Sequence, residues 1–263
     1  MTNKKPDSLI FDVDGVLLNV EKSFPEVIRL CVLKGWEKFC GGIVDDKGYT
    51  AEHERIFKRH DGFNDDYDVA WTLLSLSAHQ KSKKLSESFP STQKLQEELK
   101  TFYGSVQEWV LSRYGNLVSR KKVREYCNDL YCGTKDRVGL HTLEIPMVNC
   151  HWSALPLPVA IYTGRNLSEF ELAKKSLGWE DFSMELVIHA DTGITKPSPK
   201  GLEVLCEKMD SVNPLFFGDT ASDMKAQEAF GMGRFVAIGE HLLEAELIFN
   251  DTETALKTLL NNF

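Results

Sequence analysis

Five short apolar runs, most of which stop at a Gly, Asp or Thr, constrain the fold of this chain more than any other feature. One lies near the start of the sequence, and four lie beyond about residue 155. Because each run is apolar on both faces, it is typical of a parallel strand with helices covering both sides of the sheet. The runs are 9–11, 159–162, 186–188, 215–217 and 235–238.

Helix-like stretches separate the later runs, at 167–177, 198–209 and 222–230. Strands that alternate with crossover helices form a parallel sheet with helices on its faces. The repeated unit therefore predicts an α/β fold with a doubly wound, Rossmann-like core.

The sequence between the first and second runs has a different pattern, in which apolar residues recur at helical spacing. This spacing is typical of amphipathic helices that bury one face. Clear examples are Phe24, Val27, Ile28 and Cys31, and then Leu95, Leu99, Phe102, Val106, Trp109 and Val110. We predict an inserted all-helical cap domain at 21–149, and a core made of 1–20 and 150–263. An insertion after the first strand would lie over the carboxyl edge of the sheet, where ligands bind in such folds, and could act as a lid.

Composition excludes several classes of protein. The 263 residues are 42% hydrophobic and 27% charged, which is too apolar for a disordered chain. With 31 basic and 39 acidic residues, the net charge of −8 offers no basic face for nucleic acid. The chain has no signal-peptide pattern and no apolar run long enough to cross a membrane, so we expect a cytoplasmic protein without nucleic-acid or membrane partners. Its six cysteines form no CxxC pair, so zinc is not indicated.

Two carboxylates end the first run, in the segment Phe11-Asp12-Val13-Asp14-Gly15. Residues two apart on an extended chain point to the same side, so Asp12 and Asp14 would share one crevice. Like charges held close together repel unless a cation or a proton relieves them. Taken alone, the segment is equally compatible with a polar strand end or an Asp-Gly turn.

Further polar groups follow the other runs. Thr163 and Gly164 come after the second run, Lys196 precedes a predicted helix, and Asp219 and Asp223 follow the fourth run. Because the carboxyl ends of parallel strands lie along one edge, these groups would converge on the Asp12 crevice.

The combined groups suit a phosphate ester bound together with a divalent ion. The carboxylates could hold Mg²⁺, while Thr163, the Gly164 N–H and Lys196 could bind phosphoryl oxygens. Each fragment also has a structural interpretation, as a turn, a solvated cation or a helix cap. Their order along the chain favours the functional one.

The four motifs DVDGV, TG, KPSP and GDTASD, in this order, resemble those of the haloacid dehalogenase superfamily. The resemblance is to its subfamily I hydrolases with a helical C1-type cap, a group that includes phosphoglycolate phosphatase and beta-phosphoglucomutase. It covers the core almost completely, whereas the cap matches in position and helical character.

The resemblance implies a role for each matching residue. Asp12 would be the nucleophile that forms an aspartyl phosphate, and Asp14 the general acid and base. Lys196 and Thr163 would bind the transferred phosphoryl group. The Mg²⁺ cofactor would be bound by Asp12, Asp219 and the backbone carbonyl of Asp14, and Asp223 would hold the metal site either directly or through another ligand.

The expected activity is Mg²⁺-dependent hydrolysis of a small phosphorylated metabolite, by a monomer or homodimer. Three alternatives remain open. A phosphosugar mutase would use the same core residues, and a phosphonate hydrolase would need a cap lysine such as Lys34 or Lys58. The third alternative is not an enzyme but a non-catalytic phosphate-binding protein.

Substrate specificity could come from Arg165, if it reaches a second anionic group of the substrate. Asn64 and Asp66 could contact the substrate from the cap, or could cap a helix that begins near Asp66.

Overall fold

The computed structural model describes residues 5–45, 48–60, 62–63, 65–240, 242 and 244–261. The chain divides into two compact units, the first made of Met1–Val20 and Glu144–Phe263 and the second of Glu21–Leu143. The second boundary between the two units lies between residues 143 and 144, whereas the sequence pattern placed it between residues 149 and 150. The reason is a strand pair: Ile145–Pro146 pairs with Leu18–Asn19 and so belongs to the first unit.

The first unit is built on a six-stranded sheet, and all of its strand pairs are parallel. In chain order, the strands of the described residues are β1 (Ser8–Phe11), β2 (Leu18–Asn19), β3 (Gly133–Thr134), β4 (Arg137–Val138), β5 (Ile145–Pro146), β6 (Val159–Tyr162), β7 (Val187–Ile188), β8 (Pro214–Gly218), β9 (Arg234–Ile238) and β10 (Ile248–Phe249). The order across the sheet is β10-β9-β8-β1-β6-β7. The chain thus runs from β1 outward to β7 and returns to the other side of β1 at β8.

The α-helices of the described residues are distributed over both units. They are α1 (Phe24–Cys40), α2 (Ala51–Lys58), α3 (Asp66–His79), α4 (Leu85–Ser88), α5 (Thr92–Leu99), α6 (Val106–Tyr114), α7 (Arg120–Cys132), α8 (Leu167–Leu177), α9 (Lys200–Met209), α10 (Ala221–Phe230) and α11 (Thr252–Asn261). No helix of the described ranges is long and apolar enough to cross a membrane.

The central strands are buried along their whole length, as the sequence predicts for a covered parallel sheet. Every residue of β1, β6 and β8 is buried. Phe11 of β1 stacks on Phe217 of β8, with ring centroids 4.7 Å apart. The bounds of the helices α8, α9 and α10 agree to within two residues with the three predicted crossover stretches. The predicted α/β fold with a parallel, Rossmann-like core is therefore confirmed.

The second unit is mainly helical, and α1 packs against α3 and α7. The only strand pair described in it is β3 with β4, each two residues long. The apolar spacing from Leu95 to Val110 belongs to two helices, α5 and α6. Gly104 separates them with a φ of +63°, and Ser105 starts α6 in a reciprocal capping arrangement with Glu108.

Candidate functional site

The candidate site lies in the first unit, where β1, β6 and β8 end side by side. Phe11 pairs with Phe217 in the sheet register, and the Asp12 N–H continues the ladder by donating to the Phe217 carbonyl at 2.9 Å. Asp12 follows β1 directly, and Asp219 follows β8. The two aspartates therefore flank the point at which the strand order reverses, which is where open α/β sheets bind ligands.

Three carboxylates gather at this point and could hold a metal ion. Asp12, Asp219 and Asp223 each offer an oxygen atom, and these atoms all lie within 4.8 Å of one another. Such a set of hard oxygen donors suits Mg²⁺. The side chain of Asp14 is not part of this group, so its predicted share in metal binding would come from its backbone carbonyl.

Gly15 allows Asp219 to approach the other two carboxylates, because a side chain would not fit at position 15. A Cβ atom there would lie 2.3 Å from Oδ2 of Asp219, and the φ of Gly15 is +71°. Both the close approach and the left-handed backbone require glycine. The Asp14-Gly15 dipeptide signals a turn in the sequence, but the contact with Asp219 is visible only in the folded chain.

Lys196 joins two of the carboxylates. Its ammonium lies 2.9 Å from Asp12 Oδ1 and 2.5 Å from Asp223 Oδ1, and its side chain is 1% exposed. Burial alone would lower the pKa of Lys196, but the Asp12 and Asp223 carboxylates raise it above its ordinary value. Lys196 is therefore a fixed positive charge at the site.

Asp12 lies in a crowded acidic environment. Burial raises the pKa of its carboxyl group to about 8; the Lys196 ammonium opposes this rise, and the Asp223, Asp14 and Asp219 carboxylates add to it. Oδ1 of Asp12 also accepts the Val13 N–H at 2.7 Å. A divalent cation among these carboxylates would favour the ionised form of Asp12, which is the form that can act as a nucleophile.

Asp223 is held by the start of α10. Thr220 is the N-cap residue of that helix, and its N–H and hydroxyl donate to Asp223 Oδ2 at 3.0 and 2.6 Å. The neighbouring strand end is tight, since a Cβ atom on Gly218 would lie 2.4 Å from the Asp223 Cβ. Oδ2 of Asp223 therefore accepts the hydrogen bonds from the N-cap residue, while Oδ1 contacts Lys196.

Thr163 and Gly164 form the turn after β6. Thr163 is 2% exposed, and its N–H donates to the Ile188 carbonyl at 2.9 Å. Its Oγ1 accepts the Arg165 N–H at 3.2 Å, so the hydroxyl proton can be donated elsewhere. A threonine hydroxyl fixed in this way can bind a phosphoryl oxygen.

Arg165 is buried and contacts acidic side chains of the protein. It donates from Nε and Nη2 to Asp14 Oδ1 at 2.8 and 2.6 Å, and from Nη2 to Glu144 Oε1 at 2.9 Å. No local sequence pattern marks Glu144, because its partner Arg165 lies 21 positions further along the chain.

The candidate cap residues lie in the second unit. Asp66 is the first residue of α3, and the helix is capped by Asp65, whose side chain accepts the N–H groups of Tyr67 and Asp68. Asn64 lies outside the described residues, as does the side chain of Lys58. Lys34 is exposed on α1.

Comparison with known proteins agrees with the family resemblance of the sequence motifs. A hydrolase family model, that of the haloacid dehalogenase-like hydrolases, matches residues 6–231. A comparison with curated protein sequences found no match.

Several solved structures share the fold. The phosphatase Tt82 from Thermococcus thioreducens is 25% identical over 95% of this chain and 99% of its own, with a TM-score of 0.63. A predicted phosphoglycolate phosphatase from Haemophilus somnus is 16% identical over 97% and 99% of the two chains, with a TM-score of 0.56. A hydrolase from Pseudomonas syringae is 16% identical over 97% and 98%, with a TM-score of 0.54.

Proposed function

Because the chain belongs to the haloacid dehalogenase-like hydrolases, we propose that it is a Mg²⁺-dependent phosphatase that acts on a small phosphorylated metabolite. One observation carries this proposal: a buried lysine contacts Asp12 within a group of three carboxylates at the sheet edge. The arrangement offers a nucleophile, a cation site and a positive charge in one crevice. The name of the Thermococcus relative, a phosphatase, agrees with it.

Asp12 is the proposed nucleophile. A carboxylate oxygen of Asp12 attacks phosphorus, the bond between phosphorus and the ester oxygen breaks, and an aspartyl phosphate remains on the enzyme. Asp14 gives its proton to the departing alcohol oxygen. In the second half, water attacks phosphorus, Asp14 takes a proton from that water, and the bond between Asp12 and phosphorus breaks to release inorganic phosphate.

The other residues bind the phosphoryl group and balance its charge. Lys196, Thr163 and the Gly164 N–H donate hydrogen bonds to the phosphoryl oxygens, so that the charge that develops on them is stabilised. Asp12, Asp219, Asp223 and the carbonyl of Asp14 would hold Mg²⁺. Bound there, the ion supplies positive charge to the phosphoryl oxygens. The cytoplasmic location and the monomeric or homodimeric state stay predictions.

Removal of divalent ions tests the proposal. We expect the protein to release phosphate from at least one member of a panel of phosphorylated metabolites in the presence of Mg²⁺. EDTA should lower the rate to below ~1% and excess Mg²⁺ should restore it, because the metal neutralises the reacting oxygens. Phosphate release is the readout, since a mutase would return the phosphoryl group to the sugar. Equal rates with and without EDTA would contradict the proposed metal site.

Substitution of Asp14 tests the proton-transfer step. Asp14→Asn should lower kcat/KM for an alkyl phosphate by about 10²-fold to 10³-fold, because an alkoxide leaves only with a proton. The loss for p-nitrophenyl phosphate, whose leaving group needs no proton, should stay below about 10-fold. The parameter kcat/KM is the correct one, since it reports the steps up to alcohol release. Equal losses for the two esters would argue against Asp14 as the acid.

A further inference from the structure

Arg165 lies at the centre of a buried charge cluster next to the proposed acid. Its side chain is 0% exposed, whereas the Asp14 side chain that it contacts is 22% exposed. Glu144, its second acidic partner, has a side chain that is also 0% exposed. Asp14 is thus the member of this cluster that reaches the surface, and the other two lie behind it.

The position of Arg165 is fixed from several directions. Its N–H donates to Thr163 Oγ1 at 3.2 Å, and its carbonyl accepts the Ala190 N–H at 2.9 Å. Nη1 of its guanidinium donates to the Glu169 carbonyl, in the first turn of α8, at 3.3 Å. Backbone and side chain are both anchored, so the guanidinium is a rigid donor.

Glu144 connects this donor to the loop that carries Asp14. Glu144 immediately precedes β5, which pairs with β2, and Asp14 forms a bridge with Leu18 of β2. The Gly15 N–H also donates to the Leu18 carbonyl at 2.9 Å. The same piece of structure therefore holds the backbone of Asp14 and the carboxylate that binds Arg165.

The hydrogen bonds of Arg165 distinguish the two oxygens of Asp14. Both bonds end on Oδ1, and the described residues donate none to Oδ2. A fork that binds one oxygen through two donors fixes the plane of the carboxylate and leaves the other oxygen to carry and transfer a proton.

We propose that Arg165, held by Glu144, is a positioning residue that orients the Asp14 carboxylate so that Oδ2 meets the leaving oxygen. This role rests on the proposed phosphatase function and replaces the interpretation in which Arg165 binds a second anionic group of the substrate. A substrate-binding arginine would present donors to the solvent, whereas at least four N–H bonds of this guanidinium end on the protein.

The test needs a variant without Arg165 that leaves no unpaired buried charge. The double variant Arg165→Met with Glu144→Gln removes the cation together with its buried partner, which a single Arg165→Met would not. Glu144→Gln alone retains Arg165 and its partner Asp14, so it separates the effect of losing Glu144 from the effect of losing Arg165. Arg55→Met, on the exposed surface of α2, is the matched control for loss of an arginine.

Two esters and one ligand give the readouts. For an alkyl phosphate, we expect the double variant to lose about 10²-fold in kcat/KM, since an acid that is out of line transfers its proton poorly. For p-nitrophenyl phosphate the loss should be below about 5-fold, because its leaving group needs no proton. Inorganic phosphate, measured by calorimetry, should bind within about 2-fold of wild type, because Arg165 does not contact the phosphoryl group. Arg55→Met should stay within about 3-fold of wild type on both esters, and Glu144→Gln should lose less than the double variant on the alkyl ester.

Arg165→Lys repeats the test if the double variant does not fold. It retains a buried cation but loses the two-donor fork, so we expect a loss of about 10-fold that is again confined to the alkyl ester. Equal losses on both esters, or weaker binding of inorganic phosphate, in a folded variant would overturn the positioning role and leave the phosphatase function intact. A wild-type protein that releases phosphate neither from these two esters nor from any member of the metabolite panel would overturn the proposed function and this role with it.

Discussion

Asp12→Asn should abolish phosphatase activity while the protein stays folded. The amide is a poor nucleophile, so no aspartyl phosphate can form, and we expect kcat to fall by on the order of 10⁴-fold or more. The expected effect is the largest of any single substitution, because Asp12 makes and then breaks the bond to phosphorus. Phosphate release from the best substrate of the metabolite panel measures it.

A matched Asp-to-Asn control is available at Asp210. This residue is exposed and ends α9 with a φ of +51°, a backbone conformation that asparagine also adopts readily. Asp210→Asn should therefore keep wild-type activity and stability. Substantial turnover by a folded Asp12→Asn protein would show that another group attacks phosphorus.

Lys196→Met should reduce both stability and activity, because it removes the cation shared by Asp12 and Asp223. Breaking a buried ion pair by removal of one partner leaves an uncompensated buried charge, and we expect the free energy of unfolding without metal to fall by about 3 kcal/mol. Loss of a positive charge beside the phosphoryl group should lower kcat/KM by about 10³-fold. Urea unfolding and phosphate release measure the two effects.

Lys200→Met is the matched control for that substitution. Lys200 lies four residues further on, and its side chain is 63% exposed and paired with an exposed Glu203. Such a surface change should alter the free energy of unfolding by less than about 0.5 kcal/mol. Mg²⁺ should recover part of the stability lost in Lys196→Met, since a divalent cation can neutralise the same carboxylates. A Lys196→Met protein as stable and active as the control would refute the charge balance described for the site.

The core of the fold was predictable because its signals are local. A run such as Leu9-Ile10-Phe11, apolar on both faces, can be stable only inside a covered sheet, and the same holds for 159–162 and 215–217. The cap was harder to predict in detail. Its helices share one apolar spacing from Leu95 to Val110, and the break at Gly104 depends on a capping interaction between Ser105 and Glu108.

The parallel sheet, the helical insertion and the order of the motifs can be predicted from the amino-acid sequence, since apolar runs and turn residues act over a few positions of the chain. The side-chain contacts of the site, in contrast, can be read only from the folded chain. Asp223 contacts Lys196, Gly15 admits Asp219, and Arg165 binds Asp14 rather than solvent. These contacts join segments that are far apart in the sequence, and they depend on side-chain direction and burial, which no local pattern specifies.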